Sequence, residues 1–390
     1  MRIGIDAREL VGRATGAGRY LAGLLQQWSL DARAHEFLLY APDPIGLALD
    51  ARRFPTREVR GPGGWRWEQI QLPRAAAGDH LDVWFAPAYT APLRLEVPIV
   101  AAIHDISFVA HPEWFRVREG VRRRWLTRQT ARSATAVVTI SEFTKRELVE
   151  RLGVDGPKIH VIPPGISTGG ESSAPSVPSV PTNPEPRIPN PRRVLYVGSI
   201  FNRRHVPDLI RAFAPIARAH PDAALDIVGD NRSYPREDLQ RSIAGEGLQA
   251  QVHWHSYVTD EHLRELYAHA RAFAFLSEYE GLGLTPLEAL AAGVPPVLMD
   301  TPVARESCDD AALYVSAHDL PGITRALETV LFDDAARQRI LAAAPPVLAR
   351  YAWPRAARET LAVLRSAARE GRGPRGADSA PWGGAPRTRG

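Results

Sequence analysis

One stretch constrains this chain more than any other. An apolar run, Ala272–Leu276, leads straight into Ser277-Glu278-Tyr279-Glu280-Gly281-Leu282-Gly283-Leu284-Thr285-Pro286-Leu287-Glu288-Ala289-Leu290. The run has the length and apolar character of a strand buried on both faces, as in parallel sheets. Two glycines then make a turn. Thr285-Pro286 reads as a helix start with Pro at the first helical position, and Gly293 as its stop. A strand, a glycine loop and a helix in this order set backbone N–H groups and the positive end of a helix dipole at the carboxyl edge of a sheet. Anions bind there. Glu280 and Glu288 bracket the loop. A carboxylate beside a phosphate repels it, so each is better suited to accept hydrogen bonds from hydroxyls. The ligand implied is a phosphate flanked by polyols, which is a nucleotide sugar.

At 390 residues the chain outgrows a single core, whose usual limit is ~250–300 residues, so two domains are expected. The single Cys308 excludes a disulfide framework and fits a reducing compartment. No apolar run approaches the ~20 residues of a membrane span. Strand-like Arg2-Ile3-Gly4-Ile5-Asp6 begins at once, so no signal peptide is expected and the location read is cytoplasmic. Net charge is +4, yet Lys145 and Lys158 are the only lysines. That arginine bias makes basicity poor evidence for nucleic acid, and none is expected as a partner.

Residues 1–168 read as one α/β domain. After its first strand, Gly16-Ala17-Gly18 opens a helix carrying Tyr20, Leu21, Leu24 and Leu25. Taken alone, these glycines make a tight strand-to-helix turn. Pro98–Ile103 is a later strand ending in His104-Asp105, a polar pair where open α/β sheets place ligands. On position alone, His104 is equally a site residue or a histidine bonded to a loop carbonyl. Residues 112–133 read as one helix crowded with Arg116, Arg118, Arg122, Arg123, Arg124, Arg128 and Arg132. Three readings stand: contact with an anionic membrane face, grip on a phosphorylated acceptor, or a solvated arginine face. Ser141 reads as the N-cap of the next helix.

Residues 169–191 are rich in Pro and Ser and read as an extended linker. Residues 192–347 form the second α/β domain. There Gly198 follows a strand and precedes Arg203 and Arg204, cations at a helix start that call for an anion. Asp226–Asp230, with Gly229, is the next strand and turn. A last helix is read over 348–367, and 368–390 is expected to be a disordered tail.

Tyr279-Glu280-Gly281-Leu282-Gly283-Leu284, then Pro286-Leu287-Glu288-Ala289, with seven residues between the two glutamates, resembles the signature of retaining glycosyltransferases of family 4. The resemblance covers residues 1 to about 367. It implies the GT-B fold: two Rossmann-like domains facing across an interdomain cleft. It implies that Glu280 contacts the donor sugar and Glu288 the nucleotide ribose, and that His104 faces the sugar. Gly16 and Gly18 would touch the donor diphosphate from the first domain. The pair on the diphosphate would be Arg203 and Arg204, although this family has Lys at the second position, and a planar fork is not a point charge. Ser141 lies at the cleft, Gly198 belongs to the diphosphate loop with the arginine pair, Gly229 shapes the nucleotide pocket, the helix over 348–367 crosses back to the first domain, and Gly281, Leu282, Gly283, Leu284 and Thr285 bind donor phosphates. Likeness around His111-Pro112-Glu113-Trp114 and Ser141-Glu142-Phe143-Thr144 points to mannose.

The expected reaction is transfer of a hexose from a nucleotide-diphosphate sugar to a hydroxyl of a carbohydrate or lipid-linked glycan, with retention. No Asp-x-Asp motif or His/Cys spacing suggests a metal, and no other cofactor is expected. A non-catalytic nucleotide-sugar-binding scaffold is the alternative; a phosphorylase would need a pyridoxal-phosphate lysine, and the second domain has none.

Overall fold

Short, fully apolar strands separated by helices leave a chain one economical solution: parallel sheets covered on both faces. The computed structural model describes residues 1–12, 16–61, 63–115, 117–166 and 192–371, with backbone alone for 117–119. Among them, thirteen strands form two sheets. The first holds β1 (Arg2–Asp6), β2 (Glu36–Ala41), β3 (Thr56–Glu58), β4 (Val83–Ala86), β5 (Ile99–Ala102), β6 (Ala136–Thr139) and β7 (Ile159–Val161). Its order is β3-β2-β1-β4-β5-β6-β7. The second holds β8 (Arg193–Val197), β9 (Ala224–Val228), β10 (Val252–His255), β11 (Ala272–Phe275), β12 (Pro296–Met299) and β13 (Leu313–Val315). Its order is β10-β9-β8-β11-β12-β13. Neighbouring strands in both are parallel.

In each sheet the chain builds outward from its first strand and then returns to the other side of it. The order therefore reverses between β1 and β4, and between β8 and β11. Loops diverge at such points and leave a crevice beyond the carboxyl ends of the strands. Both halves of the molecule thus offer a binding edge, and the two edges face each other.

The helix Trp353–Glu370 returns to the first lobe and lies along the helix Gly16–Asp31. Trp28 Nε1 donates to the carbonyl of Ala357 at 3.0 Å. The Trp353 ring needs glycine on two sides: a Cβ at Gly23 or Gly165 would stand 2.4 or 2.3 Å from it. This packing fixes the end of the chain onto the lobe where it began.

Several expectations need correction. The arginine-rich segment is not one helix but a turn, Pro112–Trp114, and then Val117–Ser133. Phe115 is extended between them and meets Phe108 edge to face. The helix after the glycine loop is Leu284–Ala291, capped by Gly283 in the left-handed region at φ 85°. Pro286 is therefore its third residue, not its first. The last helix continues to Glu370 because its apolar stripe continues: Ala367 and Ala368 are buried. The linker over 169–191 and the tail from 372 lie outside the described residues.

Candidate active site

A cavity of about 240 Å³ opens where the two switch points meet. Its second-lobe wall is Arg204, Phe275, Glu280 to Thr285, and Glu288. Its first-lobe wall is Gly16, Ala17, Arg19, Tyr20, Tyr89, His104, Asp105, Ile140 and Pro164. The helix Leu284–Ala291 begins on this wall, so its unpaired N–H groups and dipole face the space.

Glu280 is the most constrained of the acids. Arg204 Nε donates to its Oε1 at 2.8 Å, and Ser277 Oγ donates to the same oxygen at 2.8 Å. Burial pushes this carboxyl up, but the charges of Arg204 and Arg203 outweigh burial and hold it below the ordinary range. It is a fixed anion beside a fixed cation. Glu288 is the opposite case. Burial raises its pKa to about 7, and Arg19 opposes this only weakly. Two carboxyls on one wall therefore differ in charge at neutral pH.

His104 is buried, and its Nε2 lies 2.7 Å from the carbonyl of Pro87. A carbonyl only accepts, so the proton is on Nε2 and Nδ1 keeps its lone pair. Burial also pushes its pKa down, which keeps the ring neutral. Tyr20 and Tyr89 meet it edge to face, at 4.7 and 5.7 Å between centroids. Asp105 accepts from Tyr89 Oη at 2.8 Å and from the Ser107 N–H and hydroxyl at 2.9 and 2.7 Å.

Beside the cavity, polar contacts tie the two lobes together. Ser141 caps the helix Glu142–Leu152, accepting from the Thr144 N–H, and its hydroxyl donates to the Gly281 carbonyl at 2.5 Å. A Cβ on Gly281 would stand 2.1 Å from the His104 carbonyl, so only glycine permits this approach. Glu306 reaches across and accepts from the N–H groups of Glu142 and Phe143 at 2.6 and 2.8 Å. An acid of one lobe thus answers the helix dipole of the other.

The sequence-derived set divides accordingly. His104, Glu280, Arg204, Gly16, Gly281, Leu282, Gly283, Leu284, Thr285 and Glu288 share the cavity wall. Ser141 stands behind it as a tie between lobes. Gly18 is buried within its helix. Gly198 and Gly229 lie behind Arg204: a Cβ on Gly198 would stand 2.8 Å from Arg204 Nη1, and one on Gly229 1.9 Å from the Gly198 carbonyl. Their part is to let Arg204 lie flat, with its Nη1 donating to the Ser199 carbonyl at 2.7 Å. Arg203 departs from expectation. Its guanidinium covers the Phe201 ring at 4.3 Å, lies 5.6 Å from the Trp114 ring, and donates to the Tyr279 carbonyl at 3.3 Å. Aromatic faces and a carbonyl hold it off the cavity wall, and it acts on Glu280 through its charge. Arg19, Tyr20, Tyr89 and Glu306 were not singled out as site residues. Arg19 directly follows Gly18 in the sequence, and that proximity is its one local signal. Glu306 offered none.

Two parallel-sheet lobes enclosing a polar cavity between their switch points define the GT-B class of glycosyltransferases. Residues 182–345 match the family described as glycosyl transferases group 1, and residues 14–169 match Glycosyltransferase Family 4. The chain belongs to this family-4 type of glycosyltransferase. It is 26% identical over 293 residues to the O-antigen chain mannosyltransferase B of Escherichia coli, covering 73% of this chain and 75% of that protein. Among solved structures it resembles a sucrose-phosphate synthase from Thermosynechococcus elongatus, with a TM-score of 0.73, 17% identity, and coverage of 94% of this chain and 98% of that one. It also resembles Anabaena Alr3699/HepE, solved in complex with UDP and glucose, with a TM-score of 0.69, 17% identity, and coverage of 94% and 100%.

Proposed function

We propose that this glycosyltransferase moves a hexose, mannose by preference, from a nucleoside-diphosphate sugar to a hydroxyl of a glycan or lipid-linked acceptor, with retention at the anomeric carbon. One observation supports the donor reading above others. A fixed Arg204–Glu280 pair and the start of the helix Leu284–Ala291 meet on a single wall, with Glu288 one turn further in, its carboxyl raised by burial to about 7. The amides of the helix start and Arg204 take the diphosphate. Glu288 takes the ribose hydroxyls. Glu280 and the neutral ring of His104 hold the sugar. Negative charge developing on the leaving diphosphate meets cations and N–H groups already in place. In this reading departure of the leaving group needs no metal ion. Unlike a glycosidase, the site needs no second carboxyl across the anomeric carbon. Closure of the two lobes excludes water and protects the donor from hydrolysis. The preference for mannose rests on the O-antigen relative.

The acceptor side is the first lobe. Its arginine-rich helix exposes Val121, Trp125, Arg122, Arg128 and Arg132 together, a pattern suited to an anionic lipid surface. No helix among the described residues is long and apolar enough to cross a membrane. A peripheral enzyme working on lipid-linked glycans at the cytoplasmic face accounts for both.

The test is a donor panel of GDP-mannose and UDP- and ADP-hexoses, reading melting temperature and nucleotide release. One donor should raise the melting temperature and release its nucleotide, with the α-anomer retained in the product by NMR. A panel that shifts nothing and releases nothing refutes the assignment. Binding without release on any acceptor supports a non-catalytic protein instead.

A further inference from the structure

Behind the turn that carries Arg203 and Arg204, three side chains converge that play no part in the cavity. His205 and Asp208 stand at the start of the helix Val206–Ala219, and His318 comes from the loop after β13. One ligand atom from each lies within 4.8 Å of the other two. Asp208 Oδ2 is 3.4 Å from His205 Nδ1 and 3.1 Å from His318 Nδ1. Ligands held tetrahedrally at ~2.0–2.1 Å from one ion stand about 3.3–3.4 Å apart, so these edges match a common centre.

We propose that His205, Asp208 and His318 form a binding site for a borderline divalent transition ion, Zn²⁺ above all. Two imidazoles and one carboxylate are the donor set such ions prefer, whereas Mg²⁺ and Ca²⁺ need oxygen ligands. The surroundings suit the role. Arg211 pairs with Asp208 Oδ1, which leaves Oδ2 for the ion. Glu278 Oε1 stands 2.7 Å from His205 Nε2. The two are not hydrogen-bonded, but the negative charge adds to the attraction for a cation. The two rings sit edge to face with centroids 4.8 Å apart. Both histidines hold left-handed backbone, at φ 46° and 58°, uncommon for any residue with a Cβ. None of the three lines the cavity, so the ion is structural: it clamps the arginine turn to the loop after β13.

The test uses the full chain without an affinity tag, stripped of metal. Zn²⁺ is titrated by calorimetry and Co²⁺ by visible absorption. One ion per chain should bind, with d–d bands of nitrogen and oxygen ligation, and Zn²⁺ should raise the melting temperature. His318 has a side chain 67% exposed, so His318→Ala should fold normally. That variant, and Asp208→Asn, should lose at least about tenfold in affinity. Wild-type protein that binds no more tightly than His318→Ala overturns the proposal and leaves a hydrogen-bonded imidazole–carboxylate cluster only.

Discussion

Replacing Glu288 with glutamine should make the protein more stable at alkaline pH while weakening its hold on a nucleotide. The carboxyl titrates near 7 in the folded chain against an ordinary 4.5. A folded pKa above the unfolded one means the folded state binds the proton more tightly. Stability from this group is complete below 4.5 and is lost as pH rises through 7. Above that window the wild-type chain carries a partly buried anion that glutamine removes. A shift from 4.5 to about 7 corresponds to a ceiling of about 3 kcal/mol at pH 8.5 and about 1 kcal/mol at pH 5. Because the side chain is only partly buried, solvent trims the alkaline gain to about 2 kcal/mol.

Urea unfolding of both proteins at pH 5 and 8.5 measures this directly. The glutamine variant should have the higher midpoint at pH 8.5, with the difference shrinking at pH 5. An equal difference at both values, or a less stable variant at pH 8.5, refutes the account of Glu288. The ligand side has its own sign. Ribose hydroxyls donate best to an ionised carboxylate, so nucleotide affinity of the wild type should rise with pH through about 7. In the Glu288→Gln variant affinity should be lower at pH 8.5 and lose that rise.

Removing the cation of the Arg204–Glu280 pair leaves a largely buried anion alone, so Arg204→Ala should lower kcat/KM by about 100-fold or more; near-normal activity would remove Arg204 from the leaving-group role. In Gly281→Ala the new Cβ would stand 2.1 Å from the His104 carbonyl. The lobes must part there, so activity should vanish while circular dichroism and melting behaviour stay close to wild type. Ser141→Ala loses both a helix cap and the hydroxyl bonded to Gly281, at a cost of about 1 kcal/mol or somewhat more. Its KM for the donor should rise more than its kcat falls, and an unchanged KM would show that this contact does not matter to closure.

What was legible in the sequence was whatever local chemistry decides. The run from Ala272 to Gly293 announced strand, loop and helix through its own apolar length and glycines, and the cavity wall is built on it. The capping role of Ser141 was equally local. The three-residue strand β3 was not legible, since all of its residues are exposed and no apolar pattern marks an edge strand this short. The neighbours Arg203 and Arg204 read alike in sequence, yet one lies along the cavity and the other on aromatic faces. Trp114, from the opposite lobe, helps decide between them. Glu306 meets Glu142 from 164 residues away, and His318 meets Asp208 from 110. Such contacts leave no period in either segment.

The contacts between the lobes complete the site. The second lobe alone would offer an arginine, an acid and a helix start, which suffice to bind an anion. The first lobe adds a neutral imidazole whose tautomer is fixed by a carbonyl, and hydroxyls that fasten the Gly281 loop. It also sets Arg19 on the cavity wall, where its charge opposes the rise in the pKa of Glu288. Local sequence marks Glu288 as a hydroxyl acceptor but not its altered pKa, because burial comes from the folded cavity wall and the opposing charge of Arg19 from the other lobe.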